Sequence, residues 1–265
     1  MSSNAFLTDQ RLQSAPPKLD RPGTGLPGAP PQTGIGQDEP RATMNGVISA
    51  TGLLMSMLLV AGFFGWNLVE VQNDAVTAFP SWLMGAVAIG VVLLGVAYFK
   101  PHLTKIIGPI YAIVQGVFVG AISRVSDAAY DGIVLQAAML TIGVFLAMLF
   151  LYRTRIIKVT DRLRRTVVAM TMGLMAVYLF QFVMNIVGVD FTVPFLHDSG
   201  PIGIAISLGI VGLAAFNYLL DFDFVERAVD NGAPKDMEWV AAFGLLVTTV
   251  WLYVELLRLL AKLRD

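Results

Sequence analysis

The chain has 265 residues, of which 56% are hydrophobic and 14% charged, with a net charge of −1 and a mean hydropathy of +0.70. A soluble domain of this length needs far more polar surface, so composition points to an all-α polytopic membrane protein, and no nucleic-acid partner is expected. The chain has no cysteine, which excludes disulfides, thiol catalysis and cysteine metal sites.

Residues 1–42 read as a disordered tail, because Pro16, Pro17, Pro22, Pro27, Pro30, Pro31 and Pro40 alternate with glycines and few aliphatics are available for a core. They hold no hydrophobic stretch, so no signal peptide is expected. Composition favours an unstructured cytoplasmic leader; the functional reading is a docking tail for a partner.

A membrane helix needs about 20 mostly apolar residues. Seven stretches qualify: 44–69, 79–99, 106–123, 132–152, 166–188, 200–222 and 238–260. Residues 43–265 are therefore expected to form one seven-helix transmembrane domain with short loops. The third stretch opens at Gly108-Pro109, which suits a helix start. Trp66, Trp82, Trp239, Tyr98, Tyr130 and Tyr152 fall near span ends, where interfacial aromatics belong.

Orientation follows the Lys/Arg bias of short loops. Loops 70–78 and 189–199 carry no Lys or Arg, and loop 124–131 carries Arg124 alone. The opposite side carries Lys100 and Lys105, then Arg153, Arg155, Lys158, Arg162, Arg164 and Arg165, then Arg227 and Lys235. The N-terminus is thereby expected in the cytoplasm. Arg258, Lys262 and Arg264 lie at the nominally external end, so the last helix either crosses or is buried centrally and returns. The weight of the earlier loops favours crossing.

Polar residues inside the spans are the candidates for function, since each is costly in hydrocarbon. On the third span Gly116 and Gly120 form a small-xxx-small pair, with Gln115 as an interhelical hydrogen bonder. On the sixth, Asp221 ends the apolar run 201–220, and Asn217 lies one turn earlier on the same face. Asp223 and Glu226 follow. Phe222, Phe224 and Val225 continue the apolar pattern to the breaker at Asp230-Asn231-Gly232, so the helix is expected to run to about Val229 and to carry Asp221 inside the span. On the seventh, Glu238 opens the span, and Glu255 has Arg258 three residues on, an ion pair on one face.

Three strings then carry a resemblance. Pro109-Ile110-Tyr111-Ala112-Ile113-Val114-Gln115-Gly116 through Gly120-Ala121-Ile122-Ser123, the Asp221 string, and Leu252-Tyr253-Val254-Glu255-Leu256-Leu257-Arg258 resemble helices three, six and seven of the Bax inhibitor / YccA-like membrane proteins. The resemblance covers about residues 44–262. It implies six helices around a central seventh, in the plasma (inner) membrane of a bacterium. It also implies a pH-sensitive calcium leak, attributed in some members to two aspartates on helices six and seven that share a proton, assisted by a base at the cytoplasmic end of helix two. Asp221 matches the first acid. The second falls near Thr248, which cannot ionise but can donate a hydrogen bond to Asp221. Lys100, His102 and Lys105 occupy the position of the base, His102 nearest. The implied permeants are calcium ions or protons, and no bound cofactor is expected.

Enzyme classes find little support. His102 and His197 lie in loops, and the Gly-x-Gly-Asp string of intramembrane aspartyl proteases is absent. A retinal protein would need a lysine in the middle of the seventh span, whereas Lys262 is at its end. The competing class is a non-transporting regulator, since some bacterial relatives are described as modulators of a membrane-bound AAA protease.

Overall fold

The computed structural model describes residues 40–72, 75–76, 82–189, 193 and 198–264. The described chain forms seven helices long and apolar enough to cross a membrane. They are α1 (Met44–Asn67), α2 (Trp82–Phe99), α3 (Thr104–Ala129), α4 (Ile133–Arg153), α5 (Asp161–Ile186), α6 (Pro201–Asp230) and α7 (Met237–Arg264). A two-residue antiparallel ladder pairs β1 (Val71–Gln72) with β2 (Ala75–Val76) after α1. A 3-10 turn, Pro101–Leu103, leads from α2 into α3. Helices are the expected spanning elements because hydrocarbon offers no partner to an open backbone group.

The helix ends follow local chemistry. Thr43 caps α1 by accepting from Gly46 N at 3.0 Å, and Thr160 caps α5 by accepting from Leu163 N at 3.2 Å. Pro201 opens α6, where its missing N–H is no loss. The start of α3 corrects the sequence expectation. It begins at Thr104 rather than at Gly108-Pro109, so Pro109 lies inside the helix. The proline withdraws a donor from the carbonyl of Lys105, which is exposed at the helix end and open to water.

The seventh helix is central. It packs against α1, α3, α4 and α6. Within its apolar window 61% of residues are buried, against 6% for α5, which lies at the periphery. In a bilayer lipid is as apolar as the core, so close packing has to come from small residues and polar contacts. At the α1–α3 crossing a Cβ on Gly116 would stand 2.7 Å from the Cβ of Ala61, and one on Gly120 would collide with the backbone of Gly62. The expected small-residue pair therefore marks the closest approach of these two helices.

Opposite ends of the bundle are fixed by the chain's own contacts. Ala42 N donates to Ala233 O at 2.8 Å and Lys235 N to Pro40 O at 3.0 Å, so residues 40–42 lie along the α6–α7 turn. Ala42 is buried, which moves the seated chain three residues into the segment assigned to the tail; residues 1–39 lie outside the described residues. At the other end Arg264 donates to Asp131 O at 2.9 Å and to Gln136 Oε1 at 3.0 Å, beside the α3–α4 turn. The last helix therefore crosses. The end holding segments 100–105, 153–165 and 227–235 is called the basic end below.

Candidate functional site

The α6–α7 seam carries the candidate site. α6 continues unbroken to Asp230, nine residues past Asp221, which places that carboxylate roughly 14 Å inside the helix end at 1.5 Å per residue. Asp221 therefore does not cap the helix. Thr248 lies eleven residues into α7, at a matching depth of about 16 Å. Its Oγ1 donates to Asp221 Oδ2 at 2.6 Å. One turn earlier on α7, a Cβ on Gly244 would stand 3.4 Å from Asp221 Oδ1, so the absence of a side chain there leaves room for the carboxylate. Asp221 is half-buried and Thr248 buried.

A second polar contact adjoins the first. The fully buried Tyr218 donates through its hydroxyl to Thr249 Oγ1 at 3.0 Å, and Thr249 Oγ1 donates to Leu245 O at 2.7 Å. The sequence signal was the spacing of Tyr218 three residues before Asp221, on one helical face. Tyr218 also stacks on Phe222, and both meet Phe145 of α4 edge-on, which holds this part of α6 in one rotation.

Other expected members of the site lie elsewhere. Asn217 donates to Thr171 Oγ1 of α5 and to Leu213 O, both at 2.9 Å, so it ties α6 to α5 rather than extending a polar stripe with Asp221. Lys100, His102 and Lys105 are exposed at the basic end, and among the described residues none bonds to Asp221. They stand at the level of the helix ends while Asp221 lies roughly 14 Å inside, and Lys105 instead faces Asp236 at 3.8 Å. Gln115 is buried against Gly90 of α2 and makes no side-chain hydrogen bond among the described residues, so it fills space where a bond was expected. His197 lies outside the described residues.

Asp223, Glu226 and Glu255 are held in ion pairs. Asp223, buried, bonds to Arg164 of α5 and to Arg227 one turn along α6 at 2.9 Å. Glu226 bonds to Arg155 and to the hydroxyl of Tyr152. Glu255 is 1% exposed and sits about 10 Å farther along α7 than Thr248, out of contact with Asp221. It pairs with Arg258 at 3.3 Å as expected, and also accepts from Tyr178 at 2.8 Å and Trp251 at 3.3 Å. Nearby, Lys262 is buried and donates to Ser207 Oγ at 2.9 Å. Glu238 accepts from Thr43 N at 2.9 Å and Thr43 Oγ1 at 3.0 Å, joining the first turns of α1 and α7.

An apolar cleft of about 630 Å³ opens between α1, α3, α4 and α7. Its hydroxyls are already engaged: Thr141 bonds to Ala137 O, and Ser123 to Val119 O and Tyr253. It therefore presents hydrocarbon and does not compete with the α6–α7 seam as an ion site.

The seam thus contains one carboxylate, facing a hydroxyl donor, with no cation bonded to it among the described residues. A model of the family described as Bax inhibitor 1 like matches residues 4–265. A search of curated proteins gives no match. The match spans the whole membrane domain, which holds seven helices long and apolar enough to cross a membrane, so the chain is a multi-pass membrane protein that belongs to the Bax inhibitor 1 like family.

Proposed function

We propose that this protein is a proton-sensitive calcium leak in which Asp221 is the gate residue and Thr248 its partner. The observation that carries the reading is the Asp221–Thr248 hydrogen bond, held inside the span between the central helix and α6. Protonated, Asp221 is a neutral group satisfied by a neutral hydroxyl, and the two helices close on each other. Ionised, it is a charge with no cation bonded to it among the described residues. An isolated charge in low-dielectric surroundings is costly, and water or a permeating cation supplies the missing partner. Separation of α6 from α7 admits both.

This gate uses one acid. The family-based expectation of a carboxylate pair does not transfer, because Thr248 occupies the second position. The helix-two base is likewise no direct partner, and Lys100, His102 and Lys105 leave the mechanism. Calcium flux into proteoliposomes, followed across a range of external pH, tests the reading. Asp221→Asn is expected to remove the pH dependence; a variant whose flux and pH profile match wild type would overturn it.

A further inference from the structure

We propose that the α4–α5 turn is a binding site for the headgroups of anionic phospholipids. Segment 153–165 holds six cations (Arg153, Arg155, Lys158, Arg162, Arg164 and Arg165) against one acid, Asp161. Two of the six turn back onto α6: Arg155 pairs with Glu226 and Arg164 with Asp223. The other four are exposed and have no carboxylate partner among the described residues.

Their placement is informative. Arg162 and Arg165 lie in the opening turns of α5, three residues apart on one face. Cations there oppose the positive end of the helix dipole, whereas an anion is favoured at that end. Thr160 already serves the helix as its cap, so these arginines do nothing for the helix end. Arg153 and Lys158 add charge from the end of α4 and from the turn itself.

The turn also carries an apolar tip. Arg155 has a φ of 57°, a left-handed conformation that a side chain resists, and it is held there by Glu226 and by stacking over Tyr152 at 5.5 Å. Beyond this bend Ile156 stands 64% exposed. α4 ends at Arg153 and α5 begins at Asp161, so the turn lies where two spans leave the hydrocarbon. Phosphates are the anions at that depth, and the apolar tip suits the headgroup layer. A soluble anion would explain the cations but not Ile156. Juxtamembrane Lys/Arg clusters are attracted to anionic lipid by about 1 kcal/mol per residue, roughly five-fold each.

The test uses the full chain in nanodiscs of equimolar phosphatidylcholine and phosphatidylglycerol, with retained lipids counted by native mass spectrometry. Wild type is expected to retain phosphatidylglycerol preferentially. Arg162→Gln/Arg165→Gln should lower that preference about 30-fold, Arg162→Lys/Arg165→Lys should keep it, and millimolar inorganic phosphate should not displace the lipid. If the double glutamine variant fails to fold, Lys158→Gln, in the exposed turn, is expected to weaken the preference about five-fold. No headgroup preference in wild type, a preference that survives the glutamine variants, or displacement by inorganic phosphate would each overturn the proposal.

Discussion

Thr248 Oγ1 donates to Asp221 Oδ2 across 2.6 Å, and the bond joins the central helix to its neighbour inside the membrane span. It is a small contact with an unusual position. Interhelical bonds of this kind are worth about 0.6 kcal/mol on average in membrane proteins, so its value lies in what it does to a charge rather than in stability.

Thr248→Val keeps the shape and removes the donor. The thermal midpoint is expected to change by the equivalent of less than about 1 kcal/mol. Calcium flux in proteoliposomes should nevertheless respond differently to pH, because ionised Asp221 loses the hydroxyl that donates to it. Thr248→Asp should give a broader pH profile resolved into two steps, since two touching carboxylates titrate as a coupled pair. Profiles identical to wild type in both variants would remove Thr248 from the gate.

At the α1–α3 crossing, Gly120→Ala places a methyl group against the backbone of Gly62. Overpacking of this kind costs about 1–3 kcal/mol, and detergent-solution unfolding should show it. Gly143→Ala on α4 meets open space and is the matched control. It should be neutral or slightly stabilising, by up to about 1 kcal/mol. Equal effects at the two positions would contradict the crossing geometry.

Glu255, Arg258 and Tyr178 form a largely buried charge network. Glu255→Gln leaves Arg258 without its carboxylate and should destabilise by about 3 kcal/mol, at the low end for buried pairs because Arg258 is partly exposed. Glu255→Gln/Arg258→Gln should recover part of that loss in a double-variant cycle. The pH dependence of flux should be the same in Glu255→Gln, Arg258→Gln, the double variant and wild type.

Removal of residues 1–39 should leave folding and flux unchanged. Removal of residues 1–43 takes away the backbone bonds of residues 40–42 to residues 233–235 and the Thr43 cap, and should lower the thermal midpoint by the equivalent of about 1–2 kcal/mol. Binding to a membrane-bound AAA protease, measured on the same two truncations, separates the classes. If removal of 1–39 abolishes capture by the protease and the full-length chain carries no flux, the regulatory reading replaces the leak.

The sequence by itself determined the seven spans, because a bilayer demands about 20 apolar residues per helix and leaves few other backbone arrangements. It also pointed to Thr248 as the partner of Asp221, though only through the resemblance to the Bax inhibitor / YccA-like proteins; rise per residue from the shared turn set Asp221 level with roughly Ala242 to Leu245. It did not determine rotation about each helix axis. In a soluble bundle an apolar stripe marks the buried face, but lipid and protein interior are equally apolar, so α6 has no such stripe to read. Only the tertiary structure decided that Asn217 turns to Thr171 while Asp221 turns to Thr248. It likewise decided that Arg155 and Arg164 reach back to α6, while Arg162 and Arg165 have no ion-pair partner among the described residues. Those assignments depend on which helices are neighbours, and packing of aromatic and small side chains sets that neighbourhood.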